Sequence, residues 1–176
     1  VLVPVERTLM DTASSEVQNL LVQLGVTVLP TTAILTRYVL PKIASYPQED
    51  IEKVMKYVLL HLKEIEDEDS STKIILGKTK FLESISGDFI APEDALNPVD
   101  ILLAEVFPNK VPVGEFACEK YLNALKSLGL RDRQMLSIEE LLESCTKVTE
   151  IEEEEGRKKL GQALLTIVQD LDEEKQ

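Results

Sequence analysis

Residues Tyr121–Val148 read YLNALKSLGLRDRQMLSIEELLESCTKV, and this stretch decides the fold. A helix over Gly114–Leu128 presents Phe116, Cys118, Tyr121, Leu122, Leu125 and Leu128 on one broad apolar face. Gly129 follows at once, where a helix ends in the left-handed conformation that only glycine adopts without strain. Leu130 is then placed to fold back onto the helix it follows. Ser137 with Glu140 three residues on forms a capping box, and Leu136 with Leu141 a hydrophobic staple across it. Ile138, Leu141, Leu142, Cys145 and Val148 carry the stripe of the next helix. The stretch therefore predicts two helices joined by a glycine stop and a cap.

The same periodicity extends outward. Leu160, Leu164, Ile167, Val168 and Leu171 mark a last helix after the acidic run Glu150–Glu155, which reads as a solvated helix start or connection. Upstream, Lys80–Ile85 and Asp88–Ala91 flank Ser86-Gly87 and predict a short β-hairpin. Pro92 and Pro98 bracket an extended stretch, and Val99–Phe107 reads as a short helix with Pro98 near its first turn. Ile51, Val54, Met55, Val58, Leu59, Leu62 and Ile65 define a helix over Pro47–Glu66, with Ser45 and Gln48 as a second capping box. Thr31 or Thr32 opens a shorter helix that Pro41 disturbs. Ser14–Leu24 predicts one more helix, with Gly25 as its stop.

Glu64–Ser71 is polar and acidic and reads as an internal linker. The expected organisation is a first helical subdomain over residues 1–69 and a hairpin plus helical subdomain over residues 70–176. Glu16–Val26, EVQNLLVQLGV, echoes Glu119–Leu130, EKYLNALKSLGL. Each is a helix closing in Leu-Gly and followed by a shorter and then a longer helix, so a helix–LG–helix–helix unit occurs twice and suggests an array. The predicted fold class is mainly α with a small β-hairpin, an α+β protein of repeated units.

Composition narrows the function. The 176 residues carry 19 basic and 32 acidic side chains, a formal charge of −13. Binding to nucleic acid or to an anionic membrane needs clustered Lys and Arg, which this balance does not supply. No apolar run is long enough to span a bilayer, and the first ten residues lack the pattern of a signal peptide. The chain starts in apolar sequence without Met, which reads as a segment of something longer. With four Phe, four Tyr and no Trp, the core is expected to be aliphatic. Cys118 and Cys145 sit among aliphatic residues and read as buried free thiols in a reducing cytosol.

No catalytic, cofactor-binding or metal constellation emerges. The one histidine, His61, lies at the border of a helix's apolar face without a nearby nucleophile and is expected to be structural. Leu76-Gly77-Lys78-Thr79 ends like a phosphate-binding loop but lacks that loop's first glycine. The acidic runs Glu64–Asp69 and Glu150–Glu155 lack the alternating ligands and turn glycine of a calcium loop. Neither an enzyme activity nor a small-molecule substrate is expected.

Phe81–Thr146 nevertheless resembles the internal repeats of the sacsin family of large co-chaperone-like proteins. FLESISGDFIAPEDALNP, DILLAEVFPNKVPVGEF, YLNALKSLGLRD and LSIEELLESCTKV carry the resemblance, in that order. It implies a strand–turn–strand, a Pro-acidic stretch, a short helix ending in Phe-Pro, a helix ending in Leu-Gly-Leu and a capped helix. It also implies a cytoplasmic protein that assists folding and quality control with heat-shock chaperones and the proteasome. The family's ATPase-like signature, Asp-x-Gly-x-Gly, is missing here, so that activity does not carry over. What the resemblance implies for this segment is spacing, scaffolding and protein contact, with neighbouring repeats, chaperones or clients as partners. A client-binding surface that accepts apolar segments is the alternative expectation.

Overall fold

A computed structural model of the chain describes Gln23 and residues 29–173. These form a mainly helical protein with one two-stranded antiparallel sheet, as the periodicities predict. The helix expected over Ser14–Leu24 lies outside the described residues except at Gln23, and Gly25 lies wholly outside them.

Helix α1, Thr31–Ile34, follows Pro30 and widens into a π turn, Leu35–Val39, then tightens into a 3-10 turn, Leu40–Ser45. Pro41 has no amide to donate to the carbonyl four residues earlier, so the regular ladder cannot continue. The start of α1 is held from elsewhere in the chain, because the Thr32 amide donates to the Glu68 carboxylate at 2.9 Å.

The helix expected over Pro47–Glu66 is two helices, α2, Gln48–Leu60, and α3, Leu62–Glu68. They break at His61, whose φ of −109° and ψ of 18° leave the helical region. The predicted stripe is nonetheless the buried face: Ile51, Met55, Val58, Leu59, Leu62 and Ile65 are all buried. The Ser45–Gln48 capping box does not form, since Ser45 Oγ is drawn back to the Lys42 carbonyl and Pro47 takes the cap position. Glu64–Ser71 is not a linker. It ends α3, and Asp69 then caps a further helix, α4, Ser70–Lys78, by accepting from the Ser71 amide at 3.0 Å. A cap followed by Ser-Ser-Thr has low helix propensity. Tertiary contact overrides it, with Thr72, Leu76 and Gly77 buried.

The hairpin is short. Strand β1, Leu82–Glu83, pairs with β2, Phe89–Ile90, and Gly87 makes the turn at φ +86°. The other edge of β1 is covered by residues 111–113: the Val113 amide donates to Glu83 O at 2.8 Å and the Ile85 amide to Val111 O at 3.0 Å. Helix α5, Ile101–Val106, is capped by Asp100 rather than begun at Pro98. Asn97 Oδ1 accepts from the Val99 amide and keeps the chain turned there before the helix opens. Gly114–Leu128 is not continuous. A 3-10 turn, Gly114–Ala117, meets helix α6, Glu119–Ser127, at an extended Cys118.

Gly129 behaves as its position predicts. Its φ is +112°, the Leu130 amide donates to Leu125 O, and the Gly129 amide to Lys126 O. These two bonds make a Schellman stop. Helix α7, Ile138–Glu150, opens with the full Ser137–Glu140 capping box, and helix α8, Glu154–Glu173, packs back along it.

The apolar side chains form two clusters. The first runs across position 69, joining α2 and α3 to Leu76, Phe81, Leu82, Phe116, Tyr121 and Leu125, with Phe116 edge-on to Phe81 and Tyr121. The second joins Leu96, Leu103, Val106, Phe107 and Val111 to Ala163, Leu164 and Ile167 of α8.

Candidate functional site

Between the two clusters three segments cross at one seam. The Leu96 amide donates to Lys110 O at 2.8 Å, the Asn97 amide to Arg131 O at 2.9 Å, and the Arg131 amide to Ala95 O at 3.0 Å. Charged side chains converge on the same place. Glu140 leaves its capping position only by its tip, which receives both Arg131 nitrogens at 2.8 and 3.0 Å and Lys110 Nζ at 2.6 Å. It still accepts from the Ser137 amide at 2.9 Å. The Arg131 guanidinium holds the Glu140 carboxyl at about 2, against the opposing effect of burial, with Lys110 and the Ser137 amide adding to it.

A second joint lies beside it. Arg133 forks onto Asp100 through Nε and Nη2, both at 2.8 Å, and reaches Asp170 of α8 with Nη1. Burial pushes the Asp100 carboxyl up, but the Arg133 fork and the Leu102 and Leu103 amides outweigh it and its pKa is lowered. Asp132 accepts from Lys126 and Asn97, and its carboxyl too is held low by Lys126 against burial. Glu140, Asp100 and Asp132 each face a base or an amide that stabilises the charged form. General acid–base catalysis at neutral pH needs the opposite tuning. Chemically, the cluster fastens α5, α7 and α8 to the turn after α6.

The outward side of α7 is different. At roughly 100° per residue, Leu141, Ser144 and Val148 share one arc of about 60°, and Ile138, Leu142 and Cys145 share another, about 90° away. The first arc packs inward: Ser144 is buried, and Leu141 and Val148 pack against the second cluster. The second arc faces solvent, with Ile138 69% and Leu142 61% exposed. The predicted single stripe is thus two faces, and only one of them is core. The cysteines follow suit. Cys118 and Cys145 are both exposed, not buried, one at the extended joint before α6 and the other on this outer arc. Beside the arc, α8 exposes Leu165 and Val168. An ideal Cβ on Gly161 would stand 3.7 Å from Val148 Cγ1, and antiparallel packing from that point sets Leu165 and Val168 alongside the Leu141–Cys145 turns.

The remaining sequence candidates fall elsewhere. His61 is partly exposed, stacked at 4.5 Å on Tyr57, with Nδ1 3.0 Å from Glu64. Gly77-Lys78-Thr79 closes α4 instead of opening a helix, and Gly77 lies against the Leu128 carbonyl. A phosphate needs free amides at a helix start, and the Thr79 amide here donates to Leu76 O. Within Glu64–Asp69, Glu66 pairs with Lys73, Glu68 holds α1, and Asp69 caps α4. Among the described residues no group of three or more His, Cys, Asp or Glu could hold a metal ion, and no helix is long and apolar enough to cross a membrane.

No family model, curated protein or solved structure matches the chain.

Proposed function

We propose that the chain is a non-catalytic structural and protein-interaction segment of a large cytoplasmic protein of the sacsin-repeat kind, one that assists folding and quality control. One observation carries the reading. The charged residues of the stretch that resembles those repeats join elements to one another through Lys110–Glu140–Arg131 and Asp100–Arg133, and Arg133 reaches beyond the stretch to Asp170 of α8. Such joints fix the relative placement of helices, which is the task of a spacer or scaffold. Neighbouring repeats and folded chaperones are the partners this role calls for.

A client-binding surface is the second reading, favoured by the solvent-facing Ile138, Leu142 and Leu165. Light scattering from reduced insulin separates the two. A scaffold segment leaves aggregation of the insulin B chain unchanged at equimolar ratio, whereas suppression at that ratio supports client capture. Calorimetry with ATP and magnesium tests the non-catalytic element: no binding heat is expected, and a micromolar Kd overturns it.

A further inference from the structure

We propose that the outer groove between α7 and α8 is a docking site for a basic amphipathic helix. The inference rests on the interaction reading above and names the partner's chemistry. The floor is apolar and comes from both helices: Ile138, Leu142 and Cys145 from α7, and Leu165 and Val168 from α8. Ile138, Leu142 and Cys145 are spaced i, i+4 and i+7 and extend over roughly 10 Å of helix axis. That spacing accepts the i, i+3/i+4, i+7 anchors of a partner helix laid into a groove.

Charge selects among possible occupants. On the outer margin of the α7 arc stand Glu139, Glu143 and Glu150, all exposed. The one base on that helix near them, Lys147, reaches Glu143 at 2.8 Å through a pair largely open to solvent. Such a pair contributes little and is readily exchanged for a partner's cation. A second copy of the chain would bring another acidic margin and a further charge of −13, so self-pairing is opposed. An unfolded apolar client would fill the floor but make no use of the margin. A helix with apolar anchors flanked by Lys or Arg satisfies both.

The cysteines supply a positional readout, because Cys145 lies in the groove and Cys118 lies before α6. The probe is a synthetic 16-residue helical peptide with Leu at i, i+4, i+7 and i+11 and Lys on both flanks. Its counterpart carries Glu in place of Lys. With the full chain, the Lys peptide is expected to slow iodoacetamide alkylation of Cys145 by about fivefold or more while Cys118 is unaffected. The Glu peptide should give no protection. Leu142→Asp, at a solvent-facing position and with no change of melt expected, should weaken the Lys peptide about tenfold. Glu143→Lys keeps the apolar floor, leaves two acids against two bases on the margin, and should narrow the difference between the peptides. Four results would each overturn the proposal. They are no protection at millimolar Lys peptide, equal protection by both peptides, binding indifferent to Leu142→Asp, and Cys145 protection by the chain itself at high concentration. Any of these, with the insulin and ATP results as expected, removes the groove while leaving the non-catalytic reading in place.

Discussion

Glu140→Gln removes one charge and keeps the shape, so it isolates what that charge contributes. In the parent, the carboxylate receives two guanidinium N–H groups, one ammonium and one backbone amide. In the variant one oxygen becomes an NH2, which meets the donors of Arg131 or Lys110 with another donor. Lowering the carboxyl from 4.5 to about 2 corresponds to at most about 3.5 kcal/mol at ~1.4 kcal/mol per unit. The side chains of Lys110 and Arg131 remain 27% and 20% exposed, so solvent screens part of this, and a loss of about 2 kcal/mol at pH 7 is expected. A carboxyl lowered on folding contributes fully above its unfolded value and loses that contribution as pH falls from 4.5 through about 2. The gap between parent and variant should therefore shrink by more than half between about pH 5 and about pH 3. Urea denaturation followed by circular dichroism at several pH values measures it. Ser137→Ala is the control, since it removes a cap bond worth about 1 kcal/mol without touching the ionic joint, and its cost should not vary with pH. A Glu140→Gln loss below about 0.5 kcal/mol at pH 7, or a gap constant from pH 5 to pH 3, refutes the reasoning.

Two glycines give further tests. Gly129→Val places a side chain at φ +112°, with its Cβ 3.1 Å from Glu93 Cα, and should cost about 2 kcal/mol or more in the same denaturation assay. Gly87→Ala, also at positive φ but with open space around it, should cost about half as much, and equal losses would mean the Glu93 contact is irrelevant. Gly77→Ala sets a Cβ 2.7 Å from the Leu128 carbonyl, so it should destabilise by about 1–3 kcal/mol despite alanine's better helix propensity. A more stable variant would mean α4 and the end of α6 are free to move apart.

What was legible in the sequence was local. The Ser137 cap, the Gly129 stop, the Ser86-Gly87 turn and the buried face of α2 and α3 each depend on residues a few positions apart. Helix α4 was hidden because its cap, Asp69, sits inside an acidic run and its first turn is Ser-Ser-Thr, which carries no apolar period. The outer arc of α7 was legible as apolar but not as exposed. Periodicity finds an apolar arc without saying which half of it meets a neighbour, and Ile138, Leu142 and Cys145 lie just beyond the half that does. The ionic joints were invisible for a different reason. Glu140 and Lys110 are 30 residues apart, and Arg133 and Asp170 are 37 apart, so no spacing rule connects them.

The seam of backbone bonds among residues 95–97, 110 and 131 also governs how the molecule opens. The Asn97 amide links the segment that Leu96 anchors in the second cluster to the turn that Leu130 anchors in the first, while the Leu96 and Arg131 amides tie the chain on either side of that crossing. Neither cluster can separate from the other without breaking the Asn97–Arg131 bond and the bond from the Ile85 amide to Val111 O, so partial opening at the seam is opposed. In native-state hydrogen exchange these three amides should exchange only at the rate of global unfolding, while those at the end of α8 exchange through fraying. Two clusters stitched in this way behave as one cooperative unit, and a load applied along the chain would meet a single resistance instead of two weaker ones in succession.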